Sequence, residues 1–178
     1  MHCYRKNGVS GTAMEDVAQH AGVGRATLYR HYANQEALLA QVMAHNIAQL
    51  QALLATSMRG YERAEEFFVE SALIIIRQSH ERGLDKLFFG DGSSSAVINR
   101  LSFTNSTITD MGNDLLGPFY QRAKAEGILR DWVTKPLLQE WTARILLSFL
   151  VSPSPRLNTD RKLRKFFYEA VMPSIINS

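Results

Sequence analysis

Arg25, Thr27, Tyr29, Arg30 and His31 fall within one run of seven residues. The run supplies three basic or potentially basic groups, two hydroxyls and no acid. Such a set has no nucleophile–base pairing and no metal-ligand spacing. Its chemistry is the binding of a polyanion. Guanidinium and imidazole groups meet phosphate oxygens, and guanidinium and hydroxyl groups reach the acceptor-rich floor of a major groove. With Ala26 leaving room for close approach, these residues form a candidate DNA-reading face.

The surrounding stretch, TAMEDVAQHAGVGRATLYRHY from Thr12 to Tyr32, supplies elements to carry that face. Thr12 is a good helix N-cap, and Glu15 three residues on completes a capping-box pattern. Met14, Val17, Ala18 and Ala21 recur at i, i+3, i+4 and i+7, which gives one apolar face. Ala21-Gly22-Val23-Gly24 breaks the helix, and Gly22 can take the left-handed conformation of a short interhelical turn. A second helix is predicted from about Arg25 to Tyr32, with Leu28 and Tyr32 facing inward. Two helices joined by a glycine-containing turn, the second basic on its outer face, are the layout of a helix-turn-helix. The competing reading is an ordinary helical hairpin with a solvated face.

This stretch closely resembles the helix-turn-helix of the TetR/AcrR family of bacterial transcriptional regulators. The resemblance lies in T-x-x-x-x-V-A at Thr12 to Ala18, A-G-V at Ala21 to Val23 and T-L-Y-x-H-Y at Thr27 to Tyr32. Asn34-Gln35-Glu36-Ala37-Leu38 resembles the start of that family's fourth helix. About forty residues match at fixed spacing; beyond them only length and helical character correspond. The resemblance implies a homodimer that binds a near-palindromic operator on double-stranded DNA and lets go when a small molecule binds. It also implies roles. Arg25, in the first turn of the second helix, is placed to read a guanine edge bidentately. Thr27 and Tyr29 match positions that touch bases or phosphates through hydroxyls, and His31 matches a phosphate-contacting position. Ala26 and Arg30 complete the contact set. Thr12 offers its hydroxyl or the helix N-terminus to a phosphate. Two departures stand out. Gly24 replaces the usual hydroxyl N-cap, which costs a few tenths of a kcal/mol. Gln35 stands where a phosphate-binding Lys is common, so one electrostatic contact is missing.

Composition agrees with such a protein. The 178 residues suffice for a small head and a larger body. The 46% apolar and 21% charged fractions are ordinary for a globular chain. No run approaches the ~18 apolar residues of a membrane span. MHCYRKNG lacks the apolar region of a secretory signal. Cys3 stands alone, which excludes a disulfide framework and makes a reducing cytoplasm the expected location. The net charge of +3 is mild, but its distribution is informative. Residues 1–60 hold five Lys/Arg against three acids, and none of those acids lies in the reading segment. Four of the five His residues (His2, His20, His31, His45) lie in the head or the first long helix, without metal-ligand spacing. No metal and no cofactor are expected.

Only MHCYRKNGVSG precedes Thr12, where the family opens with a full helix. Tyr4 and Val9 supply a remnant of its buried face, Asn7-Gly8 reads as a helix C-cap, and at most two turns fit. We expect the native start to lie upstream of Met1.

After the head, Asn34 caps a helix of some 24 residues to about Met58, roughly 36 Å long. Leu39, Met43, Ile47, Leu50 and Leu54 form its buried stripe. It reads as a core helix or, by the resemblance, as a lever from head to body. A second long helix is predicted from Tyr61 to about Arg82, with Phe68, Ala72, Ile75 and Ile76 on its apolar face. Leu84 to Phe89 is a short helix, and Gly90 to Ser95 a loop by composition. Gly92-x-Ser94-x-Ala96 partly matches a nucleophile elbow, but no strand precedes it and no partner constellation is visible. The Gly/Ser run also lacks the Gly-Lys-Ser/Thr of a phosphate loop. Asn105 to Glu126 is helical, with a kink or break predicted near Gly117-Pro118. From Leu137 to Val151 the next helix is apolar nearly all round, so it must bury two faces. The last helix runs from about Thr159 to Met172.

The fold expected is therefore all-α: a helix-turn-helix head (residues 1–46) joined by a long helix to a ligand-binding and dimerisation body (residues 47–178). Trp141, Ile145, Phe149, Leu163, Phe166 and Phe167 are the candidate dimer contacts. Phe88, Phe89, Met111, Tyr120 and Trp141 are the candidate ligand contacts, suited to an apolar or aromatic molecule. The functional expectation is a sequence-specific regulator, a repressor released by its ligand. The alternative is a helical small-molecule-binding or interaction protein that has lost DNA binding. No catalytic set is visible.

Overall fold

Caps and breakers decide where the helices lie. The computed structural model of the chain describes residues 1–89 and 95–177. Three short helices open it: α1 (His2–Asn7), α2 (Met14–His20) and α3 (Arg25–His31). The long α4 (Gln35–Ser57) begins where the Asn34 side chain accepts the Ala37 N–H at 2.8 Å. α5 (Ala64–Glu81), α6 (Leu84–Phe89) and α7 (Ser95–Thr104) follow. Asn105 caps α8 (Ser106–Ala125), Thr134 caps α9 (Lys135–Val151), and Thr159 caps α10 (Asp160–Phe166). A π turn (Phe167–Val171) and a 3-10 turn (Met172–Ser174) carry α10 on to the C-terminal segment. That segment is tied back to the α8–α9 loop. Arg130 donates its N–H to the Ile175 carbonyl at 3.0 Å, and Asn177 donates to the Ile128 carbonyl at 2.7 Å. The fold is all-α, and the Leu129–Ile176 bridge is the one β-type pairing among the described residues.

Two hydrophobic clusters result. The body cluster centres on Phe68, Phe119, Leu138 and Phe167, with the Phe68 and Phe119 rings tilted at 4.8 Å. The head cluster joins Tyr4, Val9, Met14, Ala18 and Leu28 to Leu38, Leu39 and Met43 of α4. It does not stop there: Leu84, Leu87, Phe88, Ile98, Leu101 and Ile108 of α6, α7 and α8 belong to the same cluster. The head is thus packed against the body through α4, α6 and α7.

Several elements depart from the sequence-based reading. α7 was not expected. Ile98 and Leu101 are its only buried residues, too few to show a period in a polar stretch, and their packing holds the helix. The loop residues Gly90 to Ser94, and with them most of the Gly92-x-Ser94-x-Ala96 pattern, lie outside the described residues. α8 runs as one helix through Gly117-Pro118, so the chain does not break there. Proline removes only one ladder bond, and packing of Phe119 and Ala123 on the body cluster holds both halves. α5 starts at Ala64, three residues after the expected Tyr61. Its first free N–H, that of Ala64, is taken by the Glu126 carboxylate at 2.8 Å.

The expected dimer contacts need correction. Phe167 is wholly buried within the chain, and Phe149 and Leu163 are buried beside it. The Phe149 and Phe167 rings stack at 5.8 Å. These three are core residues because they pack within the body cluster, beside Phe68, Phe119 and Leu138. Trp141, Ile145 and Phe166 pack on the same core but keep part of their surface exposed.

Candidate nucleic-acid interface

The reading face is built outward from Leu28. That side chain is buried in the head cluster, so the neighbours of α3 that do not share its face point away. Arg25, Ala26, Tyr29, Arg30 and His31 are all exposed, and Thr27 is half-buried. Tyr32 packs against the head cluster. Gly22 sets the angle between α2 and α3: it sits at φ +66°, a conformation closed to most side chains, with open space around it.

Arg25 is held by two neighbours within the chain. Its Nε lies 3.0 Å from the Glu15 carboxylate on α2, and its guanidinium sits 5.3 Å from the Tyr29 ring centroid. Both ends of the ion pair are exposed, so the pair is readily exchanged for a phosphate or a base. The sequence reading placed the head acids outside the reading segment and missed that Glu15 reaches back to it. All three acids of residues 1–60 are in fact engaged. Glu15 pairs with Arg25, Asp16 accepts the Ala13 N–H at 3.1 Å, and Glu36 is held by Arg100 of α7.

Thr12 is corrected by the structure. Ala13, not Thr12, is the N-cap of α2, and Asp16 rather than Glu15 provides the carboxylate that reaches back. Thr12 is buried, and its hydroxyl donates to the Gly8 carbonyl at 2.6 Å. It is a structural clamp between α1 and α2, with no hydroxyl to offer a phosphate. Gln35 is a second clamp: its amide donates to the Val9 carbonyl at 2.7 Å and the Thr12 carbonyl at 2.9 Å. The Gln35 side chain thus ties the segment from Val9 to Thr12 to α4.

α1 has one full turn and a half, yet it contributes Tyr4, which is 2% exposed. Burial, with a smaller contribution from Cys3, pushes the Tyr4 phenol up to about 12. Its hydroxyl has no hydrogen-bond partner among the described residues. Gly8 ends α1 at φ 74° and returns its N–H to the Tyr4 carbonyl at 2.9 Å. Val9 then drops into the same core.

The body holds two adjoining cavities, of about 110 and about 200 Å³. Both are lined by Ile75, Gly112, Leu115, Gln139, Ala143 and Leu146, so the two lobes adjoin along one shared wall of α5, α8 and α9. Of the expected ligand contacts, Phe88 and Phe89 line the larger lobe. Met111, Tyr120 and Trp141 line neither. Tyr120 and Trp141 pack on the body cluster, the Trp141 ring 6.3 Å from Phe68. The Met111 carbonyl accepts the Gln51 amide at 3.1 Å. The rest of the lining comes chiefly from α4, α5, α8 and α9, including Phe67, Phe68 and Phe119 in the smaller lobe, which sequence reading assigned to the core because apolar helix faces look alike whether they meet protein or a void.

Among the described residues no group of three or more His, Cys, Asp or Glu is placed to hold a metal ion, and no helix is long and apolar enough to cross a membrane.

Residues 1–42 match the family model described as bacterial regulatory proteins, tetR family. No curated protein matches the chain. Among solved structures, a protein of Shewanella sp. PV-4 assigned to the tetR family transcription regulators is 17% identical, with a TM-score of 0.69 over 99% of this chain and 94% of that one. The R. erythropolis transcriptional repressor QsdR, from the TetR family, is 22% identical, with a TM-score of 0.56 over 80% of this chain and 76% of the other. The Bacillus subtilis regulator FadR, solved in complex with stearoyl-CoA, is 15% identical, with a TM-score of 0.59 over 94% and 93%. At these identities the structural likeness speaks for the fold.

Proposed function

We propose that this chain, which carries a TetR-family head on the all-helical fold of that family's regulators, is a ligand-responsive, DNA-binding transcriptional regulator. The observation that carries the reading is the outward face of α3. Leu28 anchors the helix while Arg25, Tyr29, Arg30 and His31 stand exposed on it, with no free carboxylate among them. In this reading residues 1–46 read DNA, and residues 47–178 bind the ligand and a second copy of the chain. Arg25 leaves Glu15 to read a base, Thr27 and Tyr29 contact bases or phosphates, and Arg30 and His31 contact phosphates. Ala26 allows the helix to approach the groove floor.

A homodimer places two such heads on a near-palindromic operator with half-sites about one helical turn apart. Exposed Leu137 and Val151 on α9, with the open edges of Ile145 and Phe166, offer the apolar surface for pairing. A small apolar molecule in the body cavity shifts the heads out of register and releases the operator, so the protein acts as a repressor in the cytoplasm. The FadR complex with stearoyl-CoA supports a body of this fold taking a ligand with a long apolar chain.

The test is a gel shift with the DNA just upstream of the protein's own gene, followed by a random double-stranded pool. Retardation that is lost in Arg25→Ala supports the proposal. Failure to retard either DNA sinks it and leaves a helical ligand-binding protein to explain.

A further inference from the structure

Ser71 on α5 and Thr142 on α9 line the smaller lobe of the body cavity, and both hydroxyls are buried with no hydrogen-bond partner among the described residues. A helical Ser or Thr ordinarily bonds back to a carbonyl of its own preceding turn. Neither does so here. An unpartnered buried hydroxyl costs stability, and two in one lobe are two such costs. The rest of that lobe is apolar, lined by residues such as Phe67, Phe68, Phe119 and Leu146, apart from the amide of Gln139.

The larger lobe is different. Of its polar side chains, Asn46 and Ser102 are already engaged, and Ser79 and Gln139 complete the set. Asn46 donates to the Val42 carbonyl at 2.7 Å and accepts from Arg82 at 3.0 Å, and Ser102 donates to the Ile98 carbonyl at 2.9 Å. Its remaining wall is chiefly Met43, Ile47, Leu50, Leu147 and Leu150. Among the described residues no charged side chain lines either lobe. An ionised group buried there would have no partner and would have to neutralise.

Resting on the reading that the body binds a regulatory ligand, we infer that this ligand is a neutral, elongated, mostly apolar molecule. Its one hydrogen-bond-accepting group sits against Ser71 and Thr142 in the smaller lobe, and its apolar tail fills the larger. Gln139, shared by both lobes, flanks the junction. The two hydroxyls are kept because they recognise the ligand, at the expense of the empty protein's stability.

The test uses the neutral fluorescent probe N-phenyl-1-naphthylamine, displaced by 2-undecanone or by undecanoate at pH 8. The wild-type chain is compared with Ser71→Ala, Thr142→Val and the double variant. The ketone is expected to displace the probe at least tenfold more readily than the carboxylate. The double variant loses about tenfold in ketone affinity and little in probe affinity. Thermal unfolding without ligand supplies an independent readout: Thr142→Val melts higher than wild type, because it removes an unpartnered hydroxyl at nearly constant shape. Equal displacement by ketone and carboxylate, or an unchanged ketone affinity in the double variant, overturns the assignment while leaving a ligand-binding body. Failure of the wild-type chain to take up the probe or the ketone overturns both the assignment and the ligand-binding reading. A gel shift on the same preparations shows whether DNA reading stands by itself.

Discussion

Arg100 of α7 donates through both Nη1 and Nη2 to the two carboxylate oxygens of Glu36 in the first turn of α4, at 2.9 and 2.7 Å. The bidentate hydrogen bond to Arg100 holds the Glu36 carboxyl below its ordinary range. Both side chains are half-exposed, so the pair adds little to overall stability. Its position matters more. Ile98 and Ser102, on the same short helix as Arg100, line the larger lobe of the cavity, while Glu36 begins the helix that follows α3. The pair therefore joins the cavity wall to the reading head.

We expect Arg100→Ala to leave operator affinity within about twofold and to raise several-fold the ligand concentration that releases DNA, a coupling of the usual size for linked sites. The swap Glu36→Arg with Arg100→Glu should restore release. Titration of ligand against a labelled operator measures this, and an unchanged release curve in Arg100→Ala would remove the pair from the coupling. Because the folded Glu36 pKa is depressed, its contribution is present above the ordinary value of 4.5 and disappears as the pH falls below it.

Tyr4 holds the head core while its hydroxyl bonds to nothing, so Tyr4→Phe should be neutral or stabilising by up to ~1 kcal/mol. Tyr4→Ala should cost ~3–5 kcal/mol by opening a cavity, and should abolish DNA binding with it. The alkaline limb follows from the raised pKa. Tyr4 favours the folded state below pH 10, and that contribution is lost as the pH rises from 10 through about 12. Urea unfolding at pH 8 and pH 11 should therefore show a smaller alkaline loss in Tyr4→Phe than in wild type. Equal losses would mean that Tyr4 is not buried as described.

Glu15 holds Arg25 in a 3.0 Å ion pair, and in the proposed reading it competes with DNA for that guanidinium. Glu15→Gln removes the competitor and a negative charge beside the phosphates. It should tighten operator binding at low salt by roughly two- to tenfold, and the gain should shrink as salt rises. Weaker binding in Glu15→Gln would show instead that the pair positions Arg25 for reading.

Thr12 and Asp16 serve the fold of the head. Thr12→Val should cost ~1 kcal/mol through the Gly8 carbonyl left unpaired. Asp16→Ala should cost a similar ~1 kcal/mol through the lost cap of α2. Neither should change the slope of log affinity against log salt. A shallower slope in Thr12→Val would return that hydroxyl to the DNA surface.

The head was legible because its signals are local. A glycine turn, an apolar i, i+4 pair at Leu28 and Tyr32, and a run of basic and hydroxyl groups lie within some twenty residues. Helix α4 was equally plain, since Asn34 caps it and no Pro or Gly interrupts it. What the sequence hid depends on contacts between distant residues. Glu15 reaching Arg25 and Arg100 reaching Glu36 are set by helix packing. Thr12 gave up its cap because the turn at Gly8 took its hydroxyl. Phe149, Leu163 and Phe167 looked like interface because an apolar helix face does not say whether its own chain or another covers it. The π turn from Phe167 to Val171 has no sequence marker. Ser71 and Thr142 stood in unremarkable helices, and only the absence of a partner singles them out.

The most direct test of DNA reading is fluorescence anisotropy of the wild-type and Arg25→Ala chains on one operator selected from a random pool, across a salt series. The wild type should bind with an affinity that falls steeply and linearly in log salt, by several counterions per bound complex. Arg25→Ala should lose preference for the selected sequence over random DNA and keep most of the slope. A wild-type chain with no salt-dependent binding, or one whose sequence preference survives Arg25→Ala unchanged, would contradict the account of α3 as the reading helix.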